Sequence, residues 1–255
     1  MSEQVVTQPE LPDIIVLLKE VFHHNHFFQQ LYAWEYVVCA LMAAVGISVL
    51  AYCATRKRSL IPGRLQSGFE IIVEMLDDLV SGVLGSRGRR YLPFVGTLFL
   101  YILFMNLMGL IPFFKSATAS LSTTFALSLI VFFYVQYTAV KELGFLGYFD
   151  HLAGSPRGAM ATTLIMPVFM FCLHLITELI RPVSLSMRLR GNIWGDELLL
   201  AVMSNFGIAG LPLLFFNFLM ALLAAVVQAA VFMLLSTVYF ALVMPHESEH
   251  ETKTV

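Results

Sequence analysis

Arg181, Arg188 and Arg190 fall within one run, Arg181-Pro182-Val183-Ser184-Leu185-Ser186-Met187-Arg188-Leu189-Arg190-Gly191-Asn192, that is otherwise oily enough to lie in a membrane. Guanidinium groups stay protonated under any biological condition. A charge at bilayer depth is expensive, and it is kept where it faces protein or water and serves a function. On a helix, positions three, four and seven away share a face. Counting from Arg188, that face holds Arg181, Ser184, Leu185, Gly191, Asn192 and Gly195. Gly191 and Gly195, one turn apart, let a partner helix approach closely. The spacing therefore aims Arg188 at a neighbouring helix, with a structural arginine paired to a carboxylate as the plainer alternative.

Upstream, His174, Glu178 and Arg181 continue the stripe at spacings of four and three. Imidazole and carboxylate groups build proton relays in membrane proteins. A single internal salt bridge from Glu178 to Arg181 accounts for the same pattern. Arg190 and Glu197 lie seven apart on another face, with Trp194 between them, and either pair or line a second polar track. Glu197 is half a turn around the helix from Arg188, so it is not simply that arginine's partner. Gln228 is the strongly polar side chain deep in the last apolar run, with Asn217 nearer its start. A buried glutamine acts either as glue between helices or as a transport group.

The elements that must position these groups follow from composition. The chain has 255 residues, 58% hydrophobic and 13% charged, with a mean hydropathy of +0.80. Soluble domains carry roughly 25% charged residues, so the expected class is an all-α polytopic membrane protein. The net charge of -2 argues against a nucleic-acid partner. Cys39, Cys53 and Cys172 are scattered through apolar segments and read as small buried hydrophobes, not as a disulfide framework or metal site. Residues 1–20 lack a basic region and carry Glu3, Glu10 and Asp13. No cleaved signal peptide is expected there, and the first apolar span serves as the insertion signal.

Five hydrophobic stretches can be drawn against the roughly 20 residues a membrane helix needs. They run from Leu31 to Cys53, Tyr91 to Pro112, Leu121 to Val140, Met160 to Phe206 and Leu211 to Met244. The fourth, read as one helix, is on the order of 70 Å long against a hydrocarbon core of about 30 Å. It must be strongly tilted, kinked or split, although membrane helices tolerate prolines such as Pro167 and Pro182. The fifth, about 50 Å long, must slant as well. The expected pair is a long helical hairpin built to lie across something else. Between spans one and two, Phe69, Ile72, Val73, Leu76, Leu79 and Val80 recur at helical spacing, with Glu70, Glu74, Asp77 and Asp78 on the other face. That is an amphipathic surface helix.

Arg56, Lys57, Arg58, Arg64, Arg87, Arg89 and Arg90 crowd the loop between spans one and two. The positive-inside rule makes that loop cytoplasmic. The N-terminus is then outside, the C-terminus inside, and the loop with Lys141 and Arg157 also cytoplasmic. The expected division is an extracytoplasmic segment 1–30, a membrane-embedded domain 31–244 and a cytoplasmic tail 245–255. His23, His24 and His26, Asn106, and the polar tail His246 to Glu251 are weaker candidates. No GxGxxG, Walker loop or CxxC pattern is present, and the HExxH match, His246-Glu247-Ser248-Glu249-His250, falls in the polar tail, so hydrolytic or redox chemistry, a cofactor and a metal are not expected.

The run Pro182 to Asn192, followed by Gly195-Asp196-Glu197-Leu198, resembles the signature of subunit a of F-type ATP synthases. Asn106-Leu107-Met108-Gly109-Leu110-Ile111-Pro112 is similar to that family's second-span motif. Gln228 ahead of Phe232-Met233 and Thr237-Val238-Tyr239 resembles its final helix, and Pro62-Gly63-Arg64-Leu65-Gln66 also looks like the family. The resemblance covers nearly the whole chain after residue 30. It implies a non-catalytic stator subunit in a bacterial inner membrane, set beside a ring of c subunits and held by peripheral-stalk b subunits. It further implies two offset half-channels for protons, with sodium as the alternative ion. Arg188 corresponds to the essential arginine. By the same resemblance Glu197 serves the outer half-channel, Ser184 and Asn192 sit near the exit path, and Gln228 faces Arg188 from the last helix. His174 and Glu178 belong to ion translocation, and Gly191 and Gly195 to packing against the c ring. Arg190 departs from the pattern, which normally has an aromatic there. The last span also lacks the histidine that some relatives carry. Two other readings remain open: a secondary transporter with an arginine-anchored anion site, for which the expected internal repeat is absent, and a structural assembly subunit.

Overall fold

The computed structural model describes residues 34–56, 63–111, 116–152, 165–204 and 206–243. Expectations for residues 1–30, Lys57, Arg58, Arg157 and the tail 245–255 lie outside these. So do those for the side chains of Arg87 and Glu197. Six α-helices follow one another: α1 Glu35–Thr55, α2 Arg64–Leu84, α3 Leu92–Gly109, α4 Leu121–Leu152, α5 Ile165–Ser204 and α6 Leu211–Val243. Short 3-10 turns at Gly85–Arg90, Ala117–Ala119 and Gly207–Gly210 join them. No strand occurs among the described residues. All except α2 contain a segment long and apolar enough to cross a membrane: Glu35–Thr55, Leu92–Gly109, Leu121–Gly144, Phe169–Leu200 and Leu211–Val243.

The amphipathic reading of α2 holds. Leu76 and Val80 are buried against the bundle, Leu76 packing near Gly96 of α3, while Glu70, Glu74 and Asp78 stay exposed. Gly85, at φ 63°, ends the helix in a left-handed conformation that a side chain would disfavour. Pro93 begins α3 in the first turn, where its missing N–H costs no helical bond. The third span runs past its expected end at Val140 to Gly144, where, at φ 74°, the chain kinks into a further helical stretch that ends at Leu152. Lys141 and Glu142 are good helix formers. The Glu142 carboxylate also takes a 3.0 Å ion pair from Arg90, tying the end of the span to the turn after α2.

Met160 to Phe206, expected to be tilted, kinked or split, is unbroken over Ile165–Ser204, with Pro182 in its interior. Its length, about 60 Å, fits a bilayer only at a slant. The Gly207–Gly210 turn folds α6 back along it as a hairpin. α3 and α6 run antiparallel, since Phe94 meets Phe240 at one end and Asn106 meets Ala225 at the other. Tyr91, Phe94, Tyr134 and Phe240 form one aromatic cluster, with centroids 4.2 to 6.2 Å apart. Between membrane helices such packing carries most of the stability, because lipid is as apolar as the core.

The cysteine expectation needs a correction. Cys39 is buried, but Cys53 and Cys172 are exposed on the helix surfaces. A thiol is a small apolar group, and on a helix facing lipid the outward side suits it as well as the inward one.

Candidate functional site

Two polar layers lie in the bundle, on opposite sides of Arg188. The first joins three helices. Glu178 of α5 accepts a hydrogen bond from Arg181 Nη1 at 2.6 Å on Oε1, and one from Gln136 Nε2 of α4 at 2.7 Å on Oε2. Arg181 lies over the ring of Tyr239 on α6, 4.9 Å from its centroid. The pair is largely shielded, with Arg181 and Glu178 side chains 16% and 13% exposed. His174, one turn before Glu178, has Nδ1 3.0 Å from the Met170 carbonyl oxygen. The stripe His174–Glu178–Arg181 therefore exists as the spacing predicts, and the salt bridge within it is made. Gln136 and Tyr239 are the members that spacing on one helix does not supply. A lone amide in the apolar run of α4 is the signal that pointed to Gln228, and it marks Gln136 equally well.

Beside this layer is a cavity of about 10 Å³, lined by Ser128, Val131, Phe132 and Val135 of α4, Glu178, Arg181, Pro182 and Leu185 of α5, and Tyr239.

The second layer is a network of neutral groups around Asn106. Asn106 Oδ1 accepts from Thr118 Oγ1 at 2.9 Å, and Ser116 Oγ lies 2.6 Å from that hydroxyl and 3.3 Å from the Met105 carbonyl. Asn106 Nδ2 reaches the Ala225 carbonyl of α6 at 3.5 Å. Gly109 makes the turn possible: a Cβ there would stand 2.6 Å from Ser116 Cβ. Gln228 and Asn217, 7% and 3% exposed, lie on the inward face of α6. Their amide nitrogens have no hydrogen-bond partner among the described residues. Asn106, read from sequence as packing glue, is the centre of this network.

Arg188 is exposed on α5 and pairs with no carboxylate among the described side chains. Seven residues along α5 from Arg181, and seven back along α6 from Tyr239, bring Arg188 roughly level with Phe232. A further seven reach Gly195 and Ala225, the level of the Asn106 layer. Each interval is about 10 Å of helix. Between the layers Leu185, Leu189, Ala229, Phe232 and Met233 are buried, together with the polar Ser186, Gln228, Ser236 and Thr237.

The other expected residues divide by face. Ser184 and Gly191 are exposed beside Arg188, while Asn192 and Gly195 are half-buried. A Cβ at Gly191 or Gly195 would meet nothing within 4 Å, so that strip of α5 is uncovered in the isolated chain. Arg190 projects from another side of the helix with Val183, Met187 and Trp194, all exposed, and has no ion-pair partner among the described side chains.

The profile of the ATP synthase A chain family matches residues 36–241. The chain is 40% identical over 250 residues to the ATP synthase subunit a of Protochlamydia amoebophila (strain UWE25), covering 94% of this chain and 92% of that protein. It is 38% identical over 216 residues to the subunit a of Sulfurihydrogenibium sp. (strain YO3AOP1), covering 85% and 99%. It is also 38% identical over 231 residues to that of Campylobacter curvus (strain 525.92), covering 89% and 95%.

Proposed function

The chain belongs to the ATP synthase subunit a family, and from that premise we propose that Arg188 is the fixed cation of a proton-translocating stator. It is a non-catalytic, multi-pass subunit of the membrane sector. In the proposed mechanism, a ring of partner subunits carrying one carboxylate each moves past the uncovered strip of Ser184, Arg188, Gly191 and Gly195. A nearby cation favours the ionised form of such a carboxylate, while burial favours the neutral one. A ring site reaching Arg188 gives up its proton, and the same charge stops protons from crossing directly between the half-channels. Moving one charge through 100 mV supplies about 2.3 kcal/mol.

The observation that carries this reading is the place of Arg188: outward-facing, without a carboxylate partner among the described side chains, and about two turns along α5 from each of two polar layers. The layer of Glu178 and Arg181, with His174, serves the half-channel on the side of the basic loop, taken as cytoplasmic. The layer of Asn106, with Glu197, serves the other side; Ser184 and Asn192 sit near the exit path, and Gln228 faces Arg188 from the last helix. The N-terminus lies outside and the C-terminus inside, a bacterial inner membrane is the location, and peripheral-stalk b subunits hold the chain against the ring. The test is Arg188→Ala in the whole complex. ATP-driven proton pumping is lost while the complex still assembles; failure to assemble, or pumping at the wild-type rate, rejects the reading.

A further inference from the structure

Two exposed strips, one on α1 and one on α4, repeat the same chemical order. On α1 the strip runs Val45, Val49, Tyr52 and Arg56, at helical spacings of four, three and four. On α4 it runs Ile130, Phe133, Tyr137 and Lys141, at three, four and four. All eight side chains are exposed, with Tyr52 and Tyr137 open to 61% and 62%. Each strip ends with its cation over the ring one turn before it, 5.8 Å from the centroid in both cases. Both ends lie on the basic-loop side. Arg56 closes α1 as the chain enters that loop, its N–H bonded to the Tyr52 carbonyl at 2.9 Å. Lys141 is the neighbour of Glu142, which Arg90 of the same loop holds at 3.0 Å. Arg89 and Arg90 are thus neutralised by Asp77 and Glu142, whereas Arg56 and Lys141 have no carboxylate partner among the described side chains.

In each strip eleven residues separate the first apolar side chain from the cation. That is about 16 Å of helix, close to one leaflet's half of the roughly 30 Å hydrocarbon core. A phospholipid presents a matching order over a matching distance: acyl chain, ester carbonyls, phosphate. Apolar side chains line the acyl chain, a tyrosine hydroxyl at the interface donates to an ester carbonyl, and a cation reaching to the headgroup takes the phosphate. We propose that the two strips are binding sites for an anionic phospholipid on the basic-loop side, one at the end of α1 and one on α4. The sign of the headgroup follows from the unpaired cations. A zwitterionic lipid brings its own positive group and leaves each site with a net charge, whereas an anionic headgroup neutralises it. On α4 the span ends at Gly144, three residues beyond Lys141, which keeps that cation at headgroup depth. These sites depend on the membrane spans alone and not on the role of Arg188.

The test uses the complete ATP synthase in phosphatidylcholine vesicles with a minor share of phosphatidylglycerol that carries a photoreactive group beside its phosphate. A second preparation carries the group on phosphatidylcholine instead. After illumination, mass spectrometry of peptides from this chain measures labelling of residues 45–56 and 130–141. The phosphatidylglycerol probe labels both segments several-fold more than the phosphatidylcholine probe. Arg56→Gln removes that excess from the first segment alone and Lys141→Gln from the second alone, while Lys141→Arg keeps it. Equal labelling by the two probes overturns the proposal, as does an excess that survives both glutamine variants, since either marks ordinary solvating lipid. An excess at one segment alone rejects the site at the other. Labelling of neither segment by either probe overturns both sites and means that a partner subunit covers the strips. If a glutamine variant does not assemble, the comparison of the two probes on the wild-type complex decides.

Discussion

The two polar layers are built from different chemistry. Near the basic loop an ion pair, an amide and a phenol ring bind α4, α5 and α6 together through Glu178. At the other end only amides, hydroxyls and carbonyls meet, around Asn106. A charged layer depends on all its members, because one unpaired charge in a dry interior is costly. A neutral layer loses a hydrogen bond at a time. The difference places the rigid point of the bundle beside the Arg188 strip on one side, and a softer, more easily hydrated polar surface on the other.

The contrast can be broken most sharply at Glu178. Glu178→Ala leaves Arg181 buried without a counter-charge and should cost about 3–5 kcal/mol, read by denaturant titration of the membrane-inserted chain. Glu178→Ala combined with Arg181→Met should recover most of that loss, and no recovery would mean that the pair does not act as a unit. Asn106→Ala removes one polar partner from the neutral layer and should cost about 1–3 kcal/mol in the same measurement. A loss as large as that of Glu178→Ala would erase the distinction between the layers. Gly109→Ala tests geometry without touching a polar group. Its Cβ would collide with Ser116, and overpacking of this kind costs about 1–3 kcal/mol. Thr118 should then lose its bond to Asn106, seen as faster amide exchange in the Ala117–Ala119 turn. The smallest effect is expected at Gly46→Ala, where the new Cβ meets the edge of the Phe104 ring at 3.0 Å. A ring can tilt away, so the change should stay below about 1 kcal/mol, and it should leave both layers intact by the same exchange measurement.

The five membrane spans were legible because each is a long run of apolar residues, and the α2 reading because its apolar and acidic positions alternate at helical period. The arginine strip was legible for the same reason: Arg181, Ser184, Arg188, Gly191 and Gly195 share a face by counting alone. The extension of the third span was missed because Lys141 and Glu142 look like a loop boundary, yet both favour helix and Glu142 has a partner in Arg90, fifty-two residues away. The exposed Cys53 and Cys172 were misjudged because hydrophobicity does not distinguish the inside of a membrane protein from its lipid-facing side.

By itself, the sequence determined which residues neighbour one another along each helix: the Glu178–Arg181 pair, the small residues around Arg188 and the opposite placing of Arg190. Only the tertiary structure decided what meets across helices. Gln136 reaches Glu178 over forty-two positions, Thr118 reaches Asn106 around a turn, and Tyr239 comes to lie beneath Arg181. The physical reason is that helical periodicity fixes contacts three and four residues apart, whereas the register between two antiparallel helices depends on how every side chain along their length packs. A slide of one residue, about 1.5 Å, would leave each helix unchanged and separate both layers from their partners.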